Sequence, residues 1–214
     1  MTRIVLPTAY LAPVEYYAWI LACGNALIEV CDHYTKQSYR NRCTIATQAG
    51  RQHLTIPVTG TGGEKCPVRD VRISAHGNWR HLHWTALESA YNHTPFFEYY
   101  RDDFLPFYRD DTYVSLADFN LGLLRLTCGL LGIEAGIMPT DTYVADYGTG
   151  TLDLREKIHP KRDWRTLDPA FQPREYYQVF SARHGFLPNM SIVDLLFNMG
   201  PEALLVLRDS LRLP

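Results

Sequence analysis

The run Asp32-His-Tyr-Thr-Lys-Gln-Ser-Tyr-Arg-Asn-Arg42 packs one carboxylate, one imidazole, two phenols, one ammonium and two guanidiniums into a single short segment. If it enters the following strand extended, Arg40 and Arg42 share one face while Asn41 and Cys43 share the other. Two arginines on one side can clamp a phosphate or carboxylate in bidentate fashion, with Lys36 assisting. Tyr34 and Tyr39 can stack on a base or sugar, and Asn41 adds an amide to the same ligand contacts. Asp32 or His33 can act as general base. Replacing Arg40 or Arg42 by Ala is then expected to remove anion binding without unfolding the chain. The plain alternative is a solvated strand edge whose charges discourage aggregation.

A second constellation lies on a helix that starts at Trp79. Arg80, Trp84, Glu88 and Tyr91 fall on a stripe beside the apolar face, and His83 sits one turn from Trp79 and from Leu87. The stripe could line a pocket, with His83 as substitute base and Glu88 and Tyr91 as ligand contacts. It reads equally as a partly buried face with an internal Arg–Glu pair. A third segment, Arg155 to Arg165, surrounds Pro160 with Lys157, His159, Lys161 and Arg162; it is a basic lid over a phosphate or a solvated loop. His184, before Gly185, reads as a residue at a helix end.

Several patterns fall short of a motif. Thr59 to Lys65 resembles a phosphate loop but lacks the Gly-Lys-Ser/Thr ending. His81 and His83 are two apart, and no His-Glu-x-x-His or Gly-x-Ser-x-Gly occurs. Cys43 beside Arg42 has the setting of an activated thiol, yet its place in an alternating hairpin makes it a core residue. The five cysteines form no C-x-x-C pair, so neither a disulfide framework nor a metal site is expected. No cofactor follows from these residues.

The elements that must position these groups begin with a strand, Arg3 to Leu6, broken by Pro7-Thr-Ala-Tyr-Leu-Ala-Pro13. A helix over Val14 to Cys23 ends at Gly24-Asn25, and Ala26 to Cys31 is strand-like, giving a β-α-β start that permits a parallel pair. Cys43 and Ile45 alternate with polar neighbours, Gln48-Ala-Gly50 turns the chain, and Leu54, Ile56 and Val58 alternate again, which predicts a hairpin with Pro57 at its end. Val68 to Ile73 reads as another strand. Helices follow: one from Trp79, one over the aromatic-rich Pro95 to Tyr108, and one from Ser115, whose Ser115-Leu-Ala-Asp118 is a capping-box pattern. Ser191-Ile-Val-Asp194 repeats that pattern before a further helix, and a last helix runs near Glu202 to Leu211. Ile158 to Pro173 reads as loop. The expectation is an α/β or α+β chain whose β-α-β start and hairpin form a mixed sheet, one domain over residues 1–214, strand-rich over 1–75 and helix-rich over 76–214.

With 214 residues and 46% hydrophobic residues the composition is globular. The net charge is −2 but uneven. From His33 to His83 there are eight Lys/Arg against two Asp/Glu, and from Trp84 to Leu154 three against eleven. A local basic region in an acidic chain suggests a small anionic ligand and argues against nucleic acid as partner. The start lacks a signal-peptide apolar run, and no apolar stretch is long enough to span a membrane, so a reducing cytoplasmic setting is expected. The Asn-x-Ser/Thr triplets at Asn92 and Asn189 then carry no meaning.

Taken together, certain blocks resemble the WbqC-like family: Leu6-Pro7 with Tyr10-Leu11, Lys36-Gln-Ser-Tyr-Arg-Asn-Arg42, Leu54-Thr-Ile-Pro-Val58, Trp79 with Glu88-Ser-Ala-Tyr91, and Pro95-Phe-Phe97. The tail blocks Tyr177-Gln-Val-Phe180 and Ser191-Ile-Val-Asp-Leu-Leu-Phe-Asn198 match as well. Many members carry Gln-Pro before the first tyrosine and Pro-Trp after it, where this chain has Leu6-Pro-Thr-Ala-Tyr-Leu-Ala-Pro13. The resemblance implies a bacterial protein of O-antigen or other surface polysaccharide biosynthesis, with a nucleotide-linked or modified sugar as substrate. It carries over no catalytic residues. The leading expectation is a transferase moving an acyl or other group on a nucleotide-linked amino sugar. The alternative is a non-catalytic scaffold or partner-binding protein that uses an aromatic surface around Phe96 to Tyr108. A nucleotidyltransferase-like reading of the Pro7/Tyr10/Pro13 loop lacks that class's two-histidine signature.

Overall fold

Ile4, Val5 and Leu6 are wholly buried in strand β1 (Arg3–Pro7). Burial on both faces is characteristic of parallel sheets, whose strands read as unbroken apolar runs. The structure, a computed structural model, describes residues 3–60 and 66–213. β1 leads through a loop into helix α1 (Val14–Cys23) and back into β2 (Asn25–Glu29), parallel to β1 with Ile4 beside Ala26 and Leu6 beside Ile28. Gly24 makes the return. Its φ is 70°, and its N–H donates to the Ile20 carbonyl at 2.9 Å, a left-handed helix end that suits glycine.

β3 (Arg42–Thr47) and β4 (Gly50–Thr55) form the expected hairpin, Cys43 opposite Leu54 and Ile45 opposite Gln52. Pro57 lies beyond that ladder, as a residue without an N–H must. β5 (Val58–Thr59) pairs with β6 (Arg72–Ile73). The strand expected over Val68–Ile73 is therefore shorter, because Val68–Asp70 forms a 3₁₀ turn. The Val68 and Arg69 N–H groups donate to Asp32 and Val30 carbonyls, both at 2.8 Å, which ties the turn to the chain leaving β2. Of the phosphate-loop-like stretch Thr59 to Lys65, residues 61–65 lie outside the described residues.

Three helices follow: α2 (Trp79–Tyr91), α3 (Phe97–Arg109) and α4 (Leu116–Leu130). The Ser115 capping pattern forms, with Oγ accepting the Asp118 N–H at 3.3 Å. Phe97, Tyr100, Phe104 and Tyr108 of α3 turn inward, and Phe97, Phe104 and Tyr108 pack against Trp84, Phe119 and Phe197, while Tyr99 stays 76% exposed. The aromatic surface expected over Phe96 to Tyr108 is thus mostly core, because α3 packs between α2, α4 and a later helix.

Two strands then appear in a stretch to which the sequence assigned no element: β7 (Gly136–Pro139) and β8 (Thr151–Asp153). They complete a four-stranded, all-parallel sheet of order β7-β2-β1-β8, while the β3–β4 hairpin forms its own two-stranded sheet instead of joining it. Single-turn helices α5 (Trp164–Leu167) and α6 (Ser181–His184) precede α7 (Ile192–Met199) and α8 (Ala203–Asp209). The mixed α/β expectation, with a β-α-β start and a helical C-terminal region, is what the chain adopts. The Ser191 pattern departs from a capping box: its Oγ donates to the Leu11 carbonyl at 2.7 Å and gives α7 no side-chain cap. His184, in the last turn of α6, meets the Gln48 carbonyl at 3.0 Å through Nε2 and fastens the β3–β4 turn.

Candidate functional site

In an open parallel sheet, ligands lodge beyond the carboxyl ends of the strands, where the strand order reverses. Here β1 connects to β2 on one side, while β8 arrives on the other side after β7, so the reversal falls between β1 and β8. The segments that leave β1, β2 and β8 carry most of the residues singled out above.

A buried ion pair holds this edge together. Glu29 ends β2 with a fully buried side chain. Its Oε1 accepts from the N–H groups of Cys31 (2.8 Å) and Asp32 (3.2 Å) and from Thr140 Oγ1 (2.8 Å), and its Oε2 accepts from Arg155 Nη1 at 2.9 Å. Arg155 follows β8 and also binds Asp153, and its guanidinium lies 5.2 Å from the ring centres of both Tyr143 and Tyr147. Every Glu29 oxygen has a partner, so this pair sets the spacing of β2 and β8. Arg155 therefore belongs to the floor of the edge and not to a mobile lid.

The loop after β1 is equally constrained. Tyr10 N–H donates to the Tyr39 carbonyl at 2.8 Å and Thr8 N–H to the Glu29 carbonyl at 3.2 Å. Buried Leu11 has φ 40°, a left-handed conformation that costs a branched residue energy and is kept only where surroundings enforce it. The enforcing contacts are the Ser191 hydroxyl on the Leu11 carbonyl and the Ile192 N–H on the Ala12 carbonyl. The first N–H groups of α1 do not point to an open ligand site: Val14 donates to the Met190 carbonyl and Glu15 to Asn189 Oδ1, both at 3.0 Å.

Arg40 lies 4% exposed beside these loops. One guanidinium nitrogen pairs with Asp32, Nε is buried with no partner among the described residues, and its main-chain carbonyl accepts from Asn120 Nδ2 at 2.7 Å. Asn120, on α4, also reaches Thr8 Oγ1 at 3.3 Å, and its buried Oδ1 has no partner among the described residues. Asn41 donates to the Ile56 carbonyl at 2.8 Å, and its Oδ1 likewise has none among them. Buried polar atoms without partners are uncommon and call for a water, an ion or a ligand group. The extended entry expected for 36–41 does not occur. The segment turns, with Gln37 at φ 59°, so Arg40 folds back onto Asp32 while Arg42 continues on β3 with Nε on Thr55 Oγ1 at 3.2 Å. Both arginines still act on half-buried Tyr34. Burial pushes its phenol pKa up, and the charges of Arg40 and Arg42 pull it back.

The other residues of the segment vary in access. His33 and Lys36 are exposed, and the His33 N–H donates to Asp32 Oδ1 at 2.6 Å. Tyr39 is held neutral by burial and by nearby Glu15. His159, six residues past the end of β8, belongs to the same edge: burial lowers its pKa, and the positive charges of Arg162, Arg40 and Lys161 lower it further against Glu156. Thr8 and Asn120 stand in no motif and were not expected here, and His159 was expected only as part of a segment read as a lid or a solvated loop.

Within the α2 stripe, His83 touches the loop after β1, whereas Tyr91 and Glu88 are engaged elsewhere. His83 is buried, its Nδ1 meets Tyr10 Oη at 3.0 Å, and Tyr10 Oη meets Tyr108 Oη at 2.8 Å. Burial drives the His83 pKa down to about 4, so it is neutral at physiological pH. Tyr91 is wholly buried, donating to Asp194 Oδ1 at 3.0 Å and accepting the Ala46 N–H at 3.2 Å. Asp194 also accepts from Tyr176 (2.6 Å) and Gln178 (2.7 Å), and burial raises its pKa. Glu88 is half-buried and pairs across helices with Arg101 at 3.4 Å, while Arg80 pairs with Asp111 at 2.8 Å. Together with Trp84 and Tyr108, Glu88 and Arg101 line a surface cavity of about 310 Å³. A neighbouring cavity of about 460 Å³ lies at the start of α2.

Among the described residues, no three of His, Cys, Asp and Glu gather as a metal site would, and no helix is long and apolar enough to cross a membrane. A model of the WbqC-like protein family matches residues 8–161, a stretch that begins at Thr8 and includes Asp32, Arg40, Asn120 and His159. The chain is similar to an uncharacterized protein of Mycobacterium tuberculosis, Rv1507c, at 28% identity over 95% of this chain and 96% of that one. No solved structure matches it.

Proposed function

The chain belongs to the WbqC-like protein family, and on that footing we propose that it binds a nucleotide-linked sugar at the carboxyl edge of its parallel sheet and transfers a group, an acyl group first among them, to that sugar. The proposal takes residues 1–214 as one domain. Arg40 and Arg42 hold the diphosphate with Lys36 at the rim, and Tyr34 and Tyr39 flank the base or sugar. Asp32 or His33 accepts the proton released when a sugar amine attacks the carbonyl of an acyl thioester; the new C–N bond replaces the broken C–S bond, and the departing thiolate takes up the proton. His83, buried with tyrosines and neutral, takes no part in this reading, and neither do Tyr91 and Glu88.

The observation that carries the proposal is Arg40: a guanidinium buried at the strand ends, answered on one side by Asp32 and with Nε unanswered by any described residue. A buried cation with a free donor, beside unpartnered Asn120 and Asn41 carbonyl oxygens, is complementary to a ligand that brings both an anion and N–H or O–H groups. The test is a thermal-shift panel of nucleotides, nucleotide sugars and coenzyme A esters. A ligand at roughly 100 times its dissociation constant adds about 2.7 kcal/mol of stability. A nucleotide-sugar hit that disappears in Arg42→Ala supports the proposal. Silence across the panel overturns it in favour of a partner-binding protein.

A further inference from the structure

His159 lies in the segment that β8 sends past the carboxyl edge, anchored by buried Ile158, whose N–H donates to the Leu154 carbonyl at 3.1 Å. Its ring is half-buried, and its Nδ1 accepts the main-chain N–H of Lys161 at 3.1 Å. An imidazole nitrogen that accepts a hydrogen bond carries no proton, so in the neutral ring the proton sits on Nε2. The ring therefore presents a fixed N–H donor, and protonating Nδ1 would set two N–H groups against each other.

The charges around the ring favour the same neutral form. Arg162, Lys161 and Arg40 are positive and only Glu156 is negative, and Glu156 is itself taken up by Arg162 at 2.8 Å. Burial acts in the same direction. We infer that His159 serves the ligand of the carboxyl-edge site as a neutral Nε2–H donor to a phosphate oxygen, and not as a cation or a general base. This rests on the nucleotide-sugar reading above and gives that site a donor that stays neutral to lower pH than an ordinary histidine. A tautomer locked in this way cannot accept a proton at Nε2, which leaves base chemistry to Asp32 or His33.

The test is calorimetric titration of the intact protein with uridine- and thymidine-diphosphate sugars, whose diphosphate diester keeps its charge between about pH 6 and about pH 8. Wild-type affinity is expected to stay within about twofold across that range. His159→Ala should weaken binding about tenfold, and His159→Gln, whose amide can donate at similar reach, should recover most of the loss. The inference is overturned if wild-type affinity climbs about tenfold on acidification, which marks a cation, or if His159→Ala binds as wild type. It is also overturned if Gln fails where Lys succeeds. A wild type that binds none of these sugars is a different result: it removes the nucleotide-sugar reading itself, and this inference with it.

Discussion

Arg155 Nη1 lies 2.9 Å from Glu29 Oε2, and the Glu29 side chain is fully buried. The pair joins the ends of β2 and β8 across β1 and so fixes the width of the edge where the candidate site lies. Removing one partner of a buried pair leaves a charge with no compensation, at a cost of about 3–5 kcal/mol. Arg155→Met should therefore lower the urea midpoint strongly. The double variant Glu29→Gln with Arg155→Met should recover much of that loss, since it leaves no fully buried charge unpaired, Asp153 being 36% exposed. A double variant no more stable than the single would show that the pair is not the cause.

Glu15 has the opposite electrostatic signature. It is 2% exposed, one oxygen accepts from Asn189 Nδ2 at 3.0 Å, and the other has no partner. Burial raises its pKa to about 8, with nearby Asp168 adding to the rise. The folded chain then holds a proton that the unfolded chain has released. Stability falls as pH rises from the ordinary glutamate range toward about 8, by up to about 1.4 kcal/mol per pH unit. Glu15→Gln keeps the Asn189 contact and removes the ionisation. Its denaturation midpoint should exceed that of the wild type at pH 8 and lose the slope.

His83 governs the acid limb. Its folded pKa, about 4, lies below the unfolded value, so the unfolded chain takes up a proton first as pH falls. The stabilisation that comes from neutral His83 is complete above the unfolded value and is lost as pH drops from about 6.5 to about 4. His83→Gln should flatten equilibrium unfolding across that window. An unchanged acid limb would assign it to other groups.

The two arginines of the site should separate in their effects. Arg42 is half-buried, and its one side-chain bond is to Thr55, so Arg42→Ala should weaken nucleotide-sugar binding about tenfold or more while changing the melting temperature little. Arg40 is buried against Asp32, so Arg40→Ala should cost both affinity and stability, unlike the expectation that the sequence suggested. Titration calorimetry and denaturation on the same two variants read both effects.

Much of this arrangement was legible in the residues alone. The β1-α1-β2 start follows from apolar runs closed by Gly24, and the hairpin follows from alternation around Gln48-Ala-Gly50. β7 and β8 were not legible, because Gly136-Ile-Met-Pro139 and Thr151-Leu-Asp153 are too short for a period to emerge and are held by pairing to β2 and β1. The Asp32–Arg42 segment was found from its density of charged groups, but its turn geometry was not, since Gln37 gives no glycine signal for its left-handed φ. Tyr91 illustrates a further limit. Helical spacing placed it on a polar stripe, yet Asp194, a hundred residues away, drew its hydroxyl into the core. Asn120 came into view only through its bond to the Arg40 carbonyl, a contact that no local pattern encodes.

The most direct measurement is a crystal structure of the protein with the nucleotide sugar that gives the largest thermal shift. Diphosphate density is expected within hydrogen-bonding distance of Arg40 and Arg42, at the carboxyl ends of β1 and β2. Density instead in the cavities along α2, against Arg80 or Arg101, would contradict the proposed site.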